Sequence, residues 1–344
     1  MEITGKNLNE IIELSNLVFR PKEKSMKIET PLMWEKGKHF VIKENEEIVS
    51  FIGMVEEEIN VFGYKMKIGN IGNVCTHPDY RNKGYATCLL NETIKKAKED
   101  KLVYLMISGG RELYKRAGAV SMPFYFYQFS GNKGKTDFRV RRYKDDLYCE
   151  CIKIYQKEPV RFLRENKGFS SLFSLYNGKF KKKVMHMGSK IWIISKNKEI
   201  LAYWAEGETK DGISIGYNRE YGGIRELLAK VWKSRGKKVN IYIPLWDEEL
   251  KYYLGKEKEV KEMGTILLIN PNLLIENLSG YFIERGVEID YLKRENKILL
   301  KANKKEKEFK DNKDLARFLL HLNNEEVWKN IFPIPLPFYG FNYA

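Results

Sequence analysis

The stretch Val74-Cys75-Thr76-His77-Pro78-Asp79-Tyr80-Arg81-Asn82-Lys83-Gly84-Tyr85-Ala86-Thr87 decides the first part of the fold. The residues that lead into it, 68–74, carry no charge and mix small with β-branched side chains, which predicts a strand. A turn that contains a proline follows the strand. Apolar residues then recur at helical spacing, at Ala86, Leu89, Leu90, Ile94 and Ala97. The stretch therefore predicts a strand, a turn and an amphipathic helix.

The turn before this helix has the features of an anion-binding site. The first N–H groups of a helix have no partner inside the helix, and the helix dipole favours negative charge there. Gly84 lets a ligand approach the backbone, and Arg81 and Lys83 add positive charge. A pyrophosphate fits such a turn. The spacing is neither the G-x-G-x-x-G of dinucleotide-binding proteins nor the G-K-[ST] of a P-loop. A surface turn with incidental basic residues is the alternative.

The strand ending, Pro78, Tyr80 and the run Arg-x-x-Gly-x-Ala at 81–86 resemble the acetyl-CoA motif of the GNAT acetyltransferase superfamily. The resemblance implies acetyl-CoA as co-substrate. It implies that three strand residues offer backbone groups to the pantetheine arm and that seven turn residues surround the pyrophosphate. The three are Val74, Cys75 and Thr76, and the seven are Arg81, Asn82, Lys83, Gly84, Tyr85, Ala86 and Thr87.

A tyrosine further along the chain also matches the family. Tyr114 begins a Y-x-x-x-G sequence that ends at Gly118. The resemblance implies that this tyrosine reaches the thioester sulfur and acts as the general acid. The alternative is a tyrosine that packs a short helix.

The order of predicted elements continues the resemblance. Strand and helix patterns after about residue 190 repeat the order of residues 71–129, but the run 218–224 lacks the acetyl-CoA motif. A small α+β segment follows. This order is similar to the Eis-type branch of the superfamily. It implies an α/β (α+β) fold with tandem GNAT-like domains, 1–135 with the acetyl-CoA site and a degenerate copy at 136–270, plus a C-terminal sterol-carrier-protein-like domain at 271–344. An unrelated α/β domain is the alternative for the second segment.

The C-terminal tail has prolines at alternate positions from 333 to 337, which force an extended path, and it ends on aromatic residues and Ala344. In the Eis-type branch, the C-terminal carboxylate helps to deprotonate the substrate. The resemblance thus implies the Ala344 carboxylate as the base. Packing of the tail against the third domain explains the same pattern, so both interpretations stay open. Glu35 and Glu56 are other candidate bases, with no motif behind them.

Composition limits the classes of function. The chain has 344 residues, 61 Lys and Arg against 46 Asp and Glu, and a net charge of +15. The basic residues are spread along the chain, and no zinc-finger spacing or ribonucleoprotein motif is present, so we expect no nucleic-acid partner.

The four cysteines lack disulfide or metal spacing and are expected to be buried free thiols, with Cys149 and Cys151 on one face of a strand. The histidines lack ligand spacing, so no metal is expected.

The sequence thus predicts an acetyl-CoA-dependent N-acetyltransferase that acts on a primary amine of a small molecule by direct attack in a ternary complex. The alternative is a non-catalytic acyl-CoA- or lipid-binding regulatory protein. The start of the chain lacks an export signal, and no apolar run approaches the length of a membrane span. We therefore expect a cytoplasmic protein without a membrane partner, and a homo-oligomer is left open. A helix is also expected at 159–166, and an exit linker at 130–145.

Overall fold

The computed structural model describes residues 5–19, 37–130, 138–164 and 190–337, apart from residues 211, 217–218, 257, 295–296, 323–324, 326–327 and 330. Within these residues, thirteen strands join one large sheet and three strands form a small second sheet. The chain therefore has a mixed α/β fold, as the sequence predicts.

The first part of the chain follows the predicted order of elements. Leu89, Leu90, Thr93 and Ala97 are buried on one side of the helix that follows the motif, in a cluster with strand residues, which explains its apolar spacing. The strand expected at 68–74 is part of one longer strand, Tyr64–Thr76. The elements are α1 (Gly5–Phe19), β1 (Gly37–Glu44), β2 (Glu47–Val61), β3 (Tyr64–Thr76), α2 (Tyr85–Glu99), β4 (Tyr104–Ile107), α3 (Glu112–Arg116) and β5 (Val120–Phe129).

The second part also alternates strands and helices. A hairpin connects β8 to β9 through Asn197 and Lys198, which have positive φ, 50° and 71°. The elements are β6 (Arg139–Arg142), α4 (Tyr148–Gln156), β7 (Val160–Phe162), β8 (Lys190–Lys196), β9 (Glu199–Thr209), β10 (Gly212–Gly216), β11 (Tyr221–Gly223), α5 (Arg225–Lys233), β12 (Val239–Pro244), α6 (Glu248–Leu254) and β13 (Glu259–Leu268).

The third part contains one strand that the sequence pattern does not reveal. The strand at 305–309 is mostly charged and exposed, and only Phe309 in it is buried, so it lacks an apolar alternation. Two short helices, Pro271–Asn277 and Ser279–Ile283, precede the strands of this part. The elements are α7 (Pro271–Asn277), α8 (Ser279–Ile283), β14 (Ile289–Arg294), β15 (Lys297–Ala302), β16 (Lys305–Phe309) and α9 (Asn312–Leu320).

The large sheet is continuous from the first part to the second. Its strand order is β1-β2-β3-β4-β13-β5-β12-β10-β9-β8-β6, with β7 paired to β2 and β11 to β9. Strand β13 lies between β4 and β5 and pairs with both. The pairs β3–β4 and β10–β12 are parallel. Each parallel pair is connected through a helix, α2 or α5, so the two parts share a strand–helix–strand unit.

Four local predictions are wrong. The segment 159–166 contains β7 rather than a helix, because Val160 and Phe162 are buried where this segment pairs with β2. Cys149 and Cys151 lie on helix α4, where residue 151 is buried and residue 149 is exposed. Cys88 is also exposed, outside the buried stripe of α2. The expected linker 130–145 includes β6, which pairs with β8.

The largest core cluster combines the first and third parts of the chain. Buried side chains of β2–β5 and β13 pack with α7–α9 and with the residues that follow α9. Trp328, Ile331, Phe332 and Ile334 are all buried in this cluster. A second cluster packs α5 and α6 against β9, β10 and β12.

Candidate active site

A cavity of about 630 Å³ lies where β3 ends and the turn leads into α2. Its walls come from the end of β3, from the turn with the first residues of α2, and from the α3 region. The lining residues are Val18, Val74, Cys75, Thr76, Tyr80, Arg81, Asn82, Gly84, Tyr85, Ala86, Thr87, Arg111, Leu113 and Arg116.

Local hydrogen bonds fix the turn between β3 and α2. The backbone N–H of Asp79 donates to His77 Nδ1 at 3.3 Å, and the N–H of Tyr80 donates to the His77 carbonyl at 3.0 Å. These bonds form a 3-10 turn at Pro78–Tyr80. The chain then reaches α2 through Asn82 and Gly84, which have φ of 64° and 81°. Glycine adopts the second of these values without steric cost.

The N-terminus of α2 is open toward the cavity. The first helical bond runs from the Cys88 N–H to the Gly84 carbonyl at 3.0 Å, and no side chain caps the helix. The N–H groups of residues 85–87 therefore lack a partner within the helix. A Cβ placed on Gly84 would have no protein atom within 4 Å. There is room for a ligand group to meet the positive end of the helix dipole.

The cavity is lined by positive and not by negative side chains. Arg81, Arg111 and Arg116 line it, and none of its lining residues is acidic. Tyr85 donates a hydrogen bond from its hydroxyl to Glu44, and this bond raises the pKa of Tyr85. The charge and the helix end together favour an anionic ligand such as a phosphate group.

Strand β3 extends past the end of its parallel neighbour. The β3–β4 ladder ends at the pair Ile71–Ile107. On the other edge, the register with β2 shifts between Phe51 and Gly53, and Asn73 has φ of 53°. Residues 74–76 lie beyond the β4 ladder and line the cavity, while Cys75 and Thr76 pair with β2. Among the described residues, no strand pairs with this segment on the β4 side. That edge can receive an extended ligand through backbone hydrogen bonds.

Comparisons with known proteins agree with this geometry. Residues 1–120 match the family model of the acetyltransferase (GNAT) domain. Residues 1–120 thus belong to the GNAT acetyltransferase family. No curated protein matches the chain in sequence.

Solved structures share the fold beyond the GNAT domain. A GCN5-related N-acetyltransferase from Anabaena variabilis is 12% identical, with a TM-score of 0.65 over 100% of this chain and 95% of that chain. Eis1 from Mycobacterium abscessus is 9% identical, with a TM-score of 0.64 over 94% and 89%. A GCN5-related N-acetyltransferase from Kribbella flavida is 11% identical, with a TM-score of 0.57 over 91% and 83%. The fold of the described chain is therefore Eis-like.

The structure brings most of the predicted cofactor-site residues together in the GNAT domain. Nine of the ten line the cavity, and Lys83 does not. The Lys83 ammonium instead lies 4.7 Å from the centre of the Tyr80 ring. The predicted base Ala344 and the candidate Glu35 lie outside the described residues. Glu56, the other candidate, forms an ion pair with Lys38.

Tyr114 lies in the core of the GNAT domain, close to the cavity. It is buried on α3 in a cluster that includes Val74 and Ile107. A Cβ placed on Gly109 would be 3.5 Å from the Tyr114 ring, so the small residue after β4 leaves space beside the phenol. Burial raises the pKa of Tyr114 to about 12. The phenol therefore keeps its proton at neutral pH.

Sequence reasoning missed two charged residues of the cavity. Arg111 and Arg116 line it from either side of the Tyr114 position. The signal available in the sequence was their proximity to the Y-x-x-x-G run: they stand three residues before and two residues after the tyrosine. Basic residues at these positions carry no motif of their own, so pattern matching passes over them.

Two further observations concern metals and membranes. In the part of the chain that the structure describes, no three His, Cys, Asp or Glu side chains are placed to hold a metal ion. None of the helices in those same ranges is long and apolar enough to cross a membrane.

Proposed function

We propose that this protein is an acetyl-CoA-dependent N-acetyltransferase that acetylates a primary amine. The observation that supports this most is the cavity, which joins the free edge of β3, the open N-terminus of α2 and three arginines. GNAT acetyltransferases use acyl-CoA. In the proposed complex, residues 74–76 bind the pantetheine arm, and the α2 turn with Arg81 binds the pyrophosphate.

The proposed reaction is direct attack of a neutral amine on the thioester carbon. An alkyl ammonium group has a pKa of about 10.4, so the enzyme has to supply a base or bind the small neutral fraction. We keep the Ala344 carboxylate as the proposed base, on the resemblance to Eis-type enzymes. Tyr114 is the proposed hydrogen-bond donor to the thioester sulfur. Its raised pKa keeps it protonated for this role.

We also propose that the segments 1–135, 136–270 and 271–344 are a GNAT domain, a degenerate GNAT-like domain and a sterol-carrier-like domain. The support is the repeated unit of parallel strands connected by α2 and by α5. In its described residues, the third segment contributes three helices and a three-stranded sheet. The small-molecule amine and the cytoplasmic location stay predictions from the sequence.

Calorimetric titration of acetyl-CoA into the wild type and Gly84→Glu tests the proposal. A carboxylate at position 84 enters the open space above the α2 turn and repels the pyrophosphate. A like charge near 4 Å costs about 4 kcal/mol at an effective dielectric constant of about 20, so we expect affinity to fall at least ~100-fold.

Gly286→Glu is the matched control. Gly286 has φ of 76°, close to the 81° of Gly84, and a Cβ there also meets nothing within 4 Å. This variant introduces the same charge and backbone strain outside the cavity and is expected to bind like the wild type. Failure of the wild type to bind acetyl-CoA, or equal binding by both variants, would contradict the proposed function.

A further inference from the structure

The position of Tyr114 leaves part of the proposed reaction unexplained. When the C–S bond of acetyl-CoA breaks, the electron pair goes to sulfur and the leaving group is a thiolate. A free thiol has a pKa of about 8.5. Burial raises the pKa of Tyr114 to about 12, well above that of a free thiol, so full proton transfer from this phenol to the thiolate is unfavourable. Another group has to stabilise the negative sulfur.

Arg111 is placed to do this. It lines the cavity together with Val74, Cys75 and Thr76. Its carbonyl accepts the Tyr114 N–H at 3.0 Å, so the first turn of α3 fixes its backbone relative to Tyr114. Among the described residues, no acidic side chain forms an ion pair with it.

The positive charge of Arg111 affects the pKa of two groups on different elements. Burial raises the pKa of Cys75, on β3, to about 12, and Arg111 opposes that rise. Arg111 likewise opposes the rise that burial causes at Tyr114, on α3. Arg111 therefore lines the cavity beside the end of β3, and its charge acts on both β3 and α3 at the gap between them. In the proposed complex, this gap holds the thioester.

We propose that Arg111 is a further catalytic residue, whose guanidinium pairs with the sulfur of the departing CoA thiolate. This inference rests on the proposed function. The amine nitrogen forms the C–N bond, the C–S bond breaks with its electron pair on sulfur, and the amine proton leaves to solvent through the base. Arg111 holds the thiolate by charge, and Tyr114 donates a hydrogen bond to the same sulfur without surrendering its proton.

The experiment measures the ionisation of CoA bound to the protein. The ultraviolet absorbance of the thiolate is followed against pH for saturating CoA on the wild type, Arg111→Met, Arg111→Lys and Lys115→Met. An opposite charge within ~4–6 Å lowers a pKa by about 1–3 units. We therefore expect Arg111→Met to raise the pH midpoint for ionisation of the bound CoA thiol by at least about one unit. At a pH below the midpoint, this shift lowers the amount of thiolate about tenfold.

The other variants separate charge from shape. Arg111→Lys keeps the charge and should retain most of the low midpoint. Lys115→Met removes a positive charge from α3 at a position that does not line the cavity, and it should leave the midpoint unchanged. Equal midpoints for the wild type and Arg111→Met, with CoA bound to both, would overturn this inference alone. Absence of CoA binding to the wild type would overturn the proposed function with it.

Discussion

The turns that precede α2 and α5 have the same position in two similar units, yet their environments are opposite. Before α2, the space over Gly84 is open and the cavity wall is positive. Before α5, a side chain of the protein fills the equivalent place. Glu158 accepts the Gly223 N–H at 2.8 Å and two bonds from Arg225, at 3.0 and 2.6 Å.

The second turn is closed by a buried ion network. Arg225 also donates from Nε to Asp247 at 3.1 Å, and the Tyr221 hydroxyl donates to the same carboxylate at 3.0 Å. Glu158, Arg225 and Asp247 are all buried. A carboxylate from within the chain thus binds the Gly223 N–H and the Arg225 guanidinium just before α5, although no side chain caps the helix itself. The difference between the two turns is that a carboxylate of the protein lies in the turn before α5, whereas the space over Gly84 before α2 is open.

The largest effect is expected when the second turn loses its arginine. Arg225→Met leaves Glu158 and Asp247 buried without their cation, and breaking a buried ion pair in this way costs about 3–5 kcal/mol. Urea denaturation should show a loss of that size in the free energy of unfolding, while acetyl-CoA affinity changes little.

Lys230→Met is the control for this variant, because it removes an exposed positive charge from the same helix. Its expected effect on the free energy of unfolding is within about 0.5 kcal/mol. Equal stability of the two variants would show that the ion network does not hold the second turn closed.

A smaller effect is expected from a methyl group added to either turn. Gly223 has φ of 101°, and its added Cβ would collide with the Leu201 carbonyl and lie 2.6 Å from Ala202 Cα. We expect Gly223→Ala to lower the free energy of unfolding by about 3 kcal/mol, as in other substitutions that clash and strain the backbone. Gly84→Ala has strain without a clash and should cost about 1–2 kcal/mol. Thermal unfolding compares the stability of the two variants. A larger loss for Gly84→Ala than for Gly223→Ala would contradict the contrast between an open and a closed turn.

The strand, turn and helix around Gly84 could be predicted from the sequence because the pattern that forms them is local. Gly84, the arginine and the strand–helix pattern lie within about twenty consecutive residues, so spacing alone carries the information. The closure of the second turn was not predicted, because Glu158 comes from a segment 65 residues before Gly223. The placement of β13 between β4 and β5 depends on similar long-range pairing, between residues such as Thr265 and Ile107. No local pattern encodes such contacts.

The smallest predicted effect concerns the charges of the open turn itself. The sequence assigns both Arg81 and Lys83 to the pyrophosphate, whereas the structure places only Arg81 on the cavity wall and Lys83 over the Tyr80 ring. A hydrogen bond to a charged group contributes about 1.5–3 kcal/mol, so Arg81→Ala should weaken acetyl-CoA binding by about tenfold or more. Lys83→Ala should weaken it by less than about threefold, because an exposed charge at a distance acts only through screened attraction.

Titrations at low and high salt distinguish the two, since the Lys83 effect should disappear at high salt and most of the Arg81 effect should remain. Equal losses for both variants would mean that the lysine reaches the ligand, and that the open turn binds its anion with both of the charges that the sequence suggests.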